Sequence, residues 1–148
     1  MPSSPTSVTL HIATDADLAA INLRYAEIGF VPSASDDLIV VARIDGITAG
    51  QGRVTPVDAT SAELGGIYVL PGCEGMGIAR RIVAFLIGHA NFPVLYCLPF
   101  GELAAFYGSM GFSAVKEPGR VPQKVMQKHQ WCNATYDKAV LLLERRDS

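Results

Sequence analysis

The stretch Leu64 to Ile87, LGGIYVLPGCEGMGIARRIVAFLI, constrains the fold more than any other part of the chain. An extended segment stops at Pro71-Gly72, and two more glycines, Gly75 and Gly77, follow. The apolar positions Ile78, Ala79, Ile82, Val83, Phe85, Leu86 and Ala90 then recur at helical spacing. A strand therefore turns into a helix through glycine. The first N–H groups of a helix have no internal acceptor, and the helix dipole adds partial positive charge there, so such a turn suits a diphosphate. Glycine admits positive φ and lets phosphate oxygens touch the main chain, where a Cβ would intrude. The same pattern is also compatible with a turn that only redirects the chain.

Spacing separates the phosphate-binding alternatives. A P-loop needs GxxxxGK[ST], and no lysine precedes Lys116. A dinucleotide fingerprint fits Gly75 and Gly77 but meets Arg80 where a third small residue belongs, and no acidic residue stands near position 95 to hold a ribose. Both patterns fail.

The rest of the chain supplies alternating strands and helices. Val8 to Ile12 alternates as a strand; Thr14 and Asp17 form a capping-box start for a helix ending near Gly29. Gly29 to Asp37 reads as a loop, and two strands joined at Asp45-Gly46 follow as a hairpin. A further strand runs to about Leu70, and the glycine turn and its helix come next. Then come the strand VLYCL, a short helix over GELAAFYGSM with Leu103, Phe106, Tyr107 and Met110 as its stripe, and a strand from Phe112 to Val115. A helix from Pro122 to about Trp131 and a last strand in AVLLLER complete the order. This order excludes a bundle or a sandwich and predicts an α/β (α+β) mixed sheet flanked by helices. With 148 residues, about half of them apolar, residues 8–148 are expected to form a single domain after a flexible N-terminal segment, residues 1–7.

Charge and cysteine usage narrow the function classes. A net charge of -2 argues against a general nucleic-acid binder. The longest apolar run, Ile82 to Ile87, is too short to cross a bilayer, and no basic-then-apolar leader opens the sequence, which predicts a cytoplasmic protein without membrane association. Cys73, Cys97 and Cys132 are widely spaced and His11, His89 and His129 isolated, so neither a disulfide framework nor a metal site is expected. Cys73 and Cys97 read as small packing residues.

The run IYVLPGCEGMGIARRIV resembles the acetyl-CoA signature of the GNAT superfamily of N-acetyltransferases, whose core is [QR]xxGx[GA] after a strand ending in a YVxP-like stretch. Glu74, Gly77 and Ala79 stand at its three positions, and Gly75 is the common extra glycine. Glu74 replaces the family's Gln or Arg. A second segment, AAFYGSMGF, resembles the FYxxxGF ending of the family's next helix, and Phe100 stands where many members carry an asparagine that bonds the pantetheine arm.

The resemblance implies a GNAT-like acyl-CoA N-acyltransferase fold with a splayed sheet, acetyl-CoA as donor, and direct transfer to a primary amine of a small molecule in a ternary complex. It implies that Ile67, Tyr68 and Val69 pair with the pantetheine arm, that Glu74, Gly75, Met76, Gly77, Ile78 and Ala79 hold the diphosphate, and that a backbone N–H near Val69 faces the thioester oxygen. Gly65 and Gly66 fit a bulge in that strand.

Tyr107 matches the family's general acid, a phenol suited to protonate the departing thiolate; alone it also reads as a core residue. Glu63 matches a common position for the base and also reads as a strand-edge carboxylate. Arg24 and Tyr25, with Arg53, are placed to select an acceptor carboxylate; Arg80 and Arg81 follow the turn and could reach coenzyme phosphates, although such residues are more often solvated on a helix face. Members are often homodimers. A CoA-sensing module without chemistry, motivated by Glu74 and Phe100, and an acetyltransferase acting on a protein amine are the competing readings.

Overall fold

The computed structural model describes residues 7–147. Seven strands form one mixed sheet in the order β1-β2-β3-β4-β5-β7-β6. They are β1 (Val8–Ile12), β2 (Leu38–Ile44), β3 (Ile47–Pro56), β4 (Ser61–Val69), β5 (Val94–Cys97), β6 (Ser113–Ala114) and β7 (Leu143–Arg146). Four helices accompany them: α1 (Leu18–Glu27), α2 (Ile78–His89), α3 (Ala104–Ser109) and α4 (Gln123–Thr135). Among the described residues no helix is long and apolar enough to cross a membrane. The chain divides into two compact units, Met1–Val54 with Gly66–Ala90, and Thr55–Gly65 with Asn91–Ser148.

In the first unit the predicted local signals are realised. Asp17 Oδ2 accepts from the Thr14 N–H at 2.9 Å and the Thr14 hydroxyl at 3.2 Å, opening a 3-10 turn that leads into α1. Asp45 and Gly46 both take positive φ, 51° and 83°, as a two-residue type I′ turn demands. Ser7 is tied to this turn: it receives the Asp45 N–H at 2.8 Å and donates its own to Asp45 Oδ1 at 3.0 Å. The rest of the expected N-terminal segment, residues 1–6, lies outside the described residues.

One face of this unit buries Ile21 and Tyr25 of α1 against Ile39 and Val41 of β2. On α2, Ile78, Ile82, Val83 and Leu86 are buried, and the helix rests on bare backbone at Gly50 and Gly52 of β3. A Cβ at Gly50 would lie 2.8 Å from the Tyr68 carbonyl oxygen, and one at Gly52 2.6 Å from Ile82 Cγ2. Glycine at these two positions therefore sets how closely α2 approaches the sheet.

In the second unit β4 and β5 pair in parallel over Ser61–Leu64 and Val94–Cys97, while β7 pairs antiparallel with both β5 and β6. Its core joins Tyr96 to Val121 and Val125, with Val57, Val94, Val115, Met126 and Leu142 packed around them. Helix α4 continues to Thr135, beyond the expected end near Trp131, and Asn133 in its last turn accepts the Val140 N–H at 2.8 Å. The predicted stripe on GELAAFYGSM is only partly buried: Tyr107 is buried, Phe106 and Met110 are half-buried, and Leu103 is 39% exposed. That segment is a 3-10 turn followed by the six-residue α3, too short to bury a full stripe.

Candidate functional site

The glycine turn belongs to the first unit. Leu70 donates to the Ala49 carbonyl at 2.8 Å and ends β4 against β3; Cys73 then closes a turn on the Leu70 carbonyl at 3.0 Å. Gly72, Gly75 and Gly77 all have positive φ, 88°, 80° and 73°, and a Cβ added to any of them would meet nothing within 4 Å. The protein therefore needs glycine here for backbone conformation, and the space above the turn is open. Glu74, Gly75, Met76 and Gly77 are exposed, Ile78 is buried and anchors the helix start, and Ala79 is half-buried. Among the described residues no protein acceptor is bonded to the main-chain N–H groups of Gly75 to Ala79; the Arg81 N–H bonds the Gly77 carbonyl at 3.1 Å. Glu74 folds back instead, and its Oε2 accepts the Gly72 N–H at 2.9 Å. The carboxylate at the motif's first position thus closes the preceding turn.

Beside this turn, β4 changes character at Gly66. Its register with β5 stops at Leu64 and Cys97, and Gly65 to Val69 have no partner in β5. Gly66 has φ 61°, a conformation that breaks the regular pleat and favours glycine. Its carbonyl accepts the Tyr25 hydroxyl at 2.7 Å, and the Arg53 guanidinium stacks 4.4 Å above the Tyr25 ring. Arg53 also donates to the Val31 carbonyl and the Ser33 hydroxyl, both at 2.8 Å, while Asn22 clamps Ser33 through two main-chain bonds.

The expected acceptor contact of Tyr25 does not match this placement: the ring has 0% exposure and its hydroxyl is spent on Gly66. Arg53 is similarly committed to the loop after α1. Arg24 is half-buried and donates to Gln51 Oε1 at 3.0 Å and to Thr48 Oγ1 at 3.5 Å.

Burial pushes the Tyr25 hydroxyl up to about 12, against the opposing pull of Arg53. The folded state therefore holds Tyr25 neutral where the unfolded chain ionises near pH 10, and stability falls as pH rises from about 10 toward 12. The contribution of this group is about 2–3 kcal/mol. Tyr25→Phe should flatten that alkaline decline. It should also lower stability at pH 7 by about 1–3 kcal/mol, because the Gly66 carbonyl loses its donor. Urea unfolding at pH 7 and pH 11 measures both, and an unchanged pH dependence would contradict the assignment.

In the second unit the titratable residues converge although they are far apart in sequence. Tyr107 of α3 is 5% exposed and packed edge-to-face against Phe112, with its hydroxyl near enough to the Cys97 thiol at the end of β5 for each to shift the other's titration. Burial, then the Cys97 thiol, keeps its hydroxyl protonated far above the ordinary phenol range. Burial also pushes the Cys97 thiol up to about 12, although the Tyr107 hydroxyl pulls it the other way. Cys97 is thus a buried packing residue, as expected, beside that phenol.

Glu63 of β4, whose side chain is 15% exposed, is bound by Lys128 Nζ at 2.6 Å on Oε2. Cys132, one turn further along α4, has its thiol raised by burial while feeling the Lys128 and Glu63 charges in opposite senses. The sequence gives no sign of Lys128, because no local spacing relates positions 63, 97, 107 and 128.

Comparison with known proteins agrees with this architecture. No curated protein matches the chain significantly in sequence. Among solved structures, N-acetylglutamate synthase from Neisseria gonorrhoeae, complexed with coenzyme A and L-arginine, superposes with a TM-score of 0.70 at 16% identity over 94% of this chain. The present chain spans only 33% of that one. The yncA protein of Salmonella typhimurium, solved with its cofactor acetyl-CoA, gives 0.65 at 17% identity, covering 96% of this chain and 95% of the other. The Escherichia coli ribosomal-protein-S18-alanine N-acetyltransferase gives 0.68 at 17%, covering 96% and 95%. The family profile described as an acetyltransferase (GNAT) domain matches residues 35–114, which include both β4 and the glycine turn. This chain therefore belongs to the GNAT family of acetyltransferases.

Proposed function

We propose that this enzyme transfers the acetyl group of acetyl-CoA to a primary amine of a small molecule, directly and within a ternary complex. The observation that carries this reading is the exposed glycine turn, whose N–H groups from Gly75 to Ala79 have no bonded protein acceptor among the described residues. Glu74 to Ala79 would bind the diphosphate through those donors at the α2 N-terminus. Ile67, Tyr68 and Val69 would pair with the pantetheine arm as an added strand, since β4 has no β5 partner past Leu64. The Val69 N–H would stabilise the oxyanion; such a donor is worth about 3–4 kcal/mol of barrier in other enzymes.

Glu63 is the proposed base and Tyr107 the proposed acid. Burial keeps the Tyr107 phenol protonated well above neutral pH, so it holds a proton for the departing thiolate throughout the neutral range. Arg24, the acceptor-side candidate with part of its surface accessible, would bind a carboxylate of the acceptor. Titration calorimetry with acetyl-CoA, paired with a thiol-release assay over a panel of small primary amines, tests the reading. Binding together with amine-dependent release is expected. Binding without release from any amine would leave only a CoA sensor, and absence of binding would remove the diphosphate seat.

A further inference from the structure

Lys128 has no part in the reaction just described, yet its Nζ lies 2.6 Å from Oε2 of Glu63, where a base must meet the amine it deprotonates. We propose that Lys128 is this enzyme's own acceptor, acetylated on Nζ in cis when no better amine is bound. The inference rests on the reading of Glu63 as the base.

Three observations support it. Lys128 lies on α4 within the same compact unit as Glu63, so the pair is set by the packing of that unit. The Lys128 side chain is 49% exposed, so part of it faces solvent, whereas the Glu63 side chain beside it is only 15% exposed. Lys138 provides an internal contrast: it too is paired with a carboxylate, Glu102 at 3.0 Å, and at 66% exposure it is the more accessible amine. Simple chemical acetylation would favour Lys138, while base-assisted transfer favours Lys128.

The step balances without a further reactant. The Lys128 ammonium gives one proton to Glu63, the freed lone pair attacks the thioester carbon, a C–N bond forms and the C–S bond breaks. The departing CoA thiolate takes a proton from Tyr107, and the second proton lost by the nitrogen makes good that transfer through solvent. The products are acetyl-lysine, CoA thiol and one proton, which Glu63 releases to solvent to become a carboxylate again, and its ion pair with Lys128 is gone.

The test incubates the full chain with acetyl-CoA alone and follows acetylation site by site through intact mass and peptide mapping. Lys128 should be modified about a hundredfold faster than Lys138, the size of effect a positioned base supplies. Its rate per molecule should not change on tenfold dilution of the protein, and Glu63→Gln should slow it about a hundredfold while Lys138 continues at its background rate. Equal or faster modification of Lys138, or a Lys128 rate that falls with dilution, overturns the inference. Turnover of a small primary amine with no adduct on Lys128 also overturns it and leaves the proposed reaction standing. If Glu63→Gln retains full turnover of an external amine, the assignment of the base fails first.

Discussion

Tyr107→Phe should lower kcat by about a hundredfold or more while leaving the acetyl-CoA Kd within about twofold, because general acid catalysis acts on the transition state and not on coenzyme binding. The substitution removes one oxygen and keeps the ring between its edge-to-face neighbours, so little packing is lost. A thiol is a weak partner for the lost hydroxyl, so the stability cost should stay at about 1 kcal/mol. Burial holds Tyr107 protonated well above neutrality, so the ratio of wild-type to variant kcat should be the same at pH 7 and pH 9. Single-turnover kinetics at both values separates the outcomes. Equal turnover in the variant would leave Tyr107 a core residue.

Gly77→Val should raise the acetyl-CoA Kd by about a hundredfold, equivalent to about 3 kcal/mol. Gly77 is the residue from which α2 starts and has φ 73°, where a β-branched side chain is strained by about 1–3 kcal/mol. The protein itself has room for the new side chain, since nothing lies within 4 Å of the added Cβ. The loss of affinity should therefore exceed the loss of stability: the valine would fill the space into which the turn's free N–H groups open. Calorimetry alongside thermal unfolding distinguishes the two effects. A variant that is destabilised yet binds acetyl-CoA normally would mean that the open space above the turn is not the diphosphate seat.

Local elements were legible wherever a short-range physical signal specifies them. The hairpin at Asp45-Gly46, the capping pair Thr14 and Asp17, and the start of α2 at Ile78 each depend on residues within one turn of one another, and each is found where the pattern places it. Boundaries set by packing were less legible. The last turn of α4, past the expected end, carries Asn133 to the Val140 N–H, and the short α3 leaves Leu103 39% exposed although its spacing suits a buried stripe. Tyr25 illustrates the same limit for function. Its position near the end of the first helix suits an acceptor contact, and the tertiary fold brings its hydroxyl to the Gly66 carbonyl, forty-one residues away in sequence.

The sequence by itself determined the order of strands and helices, the glycine turn and the family signature, because periodicity, capping and turn chemistry operate over a few residues and leave a mark at that range. Tertiary structure alone decided which side chains meet: Tyr107 with Cys97, Glu63 with Lys128, and Tyr25 with Gly66. The physical reason is that burial, ion pairing and long-range hydrogen bonding depend on distances in space, which strand register and helix docking establish and which no spacing along the chain encodes.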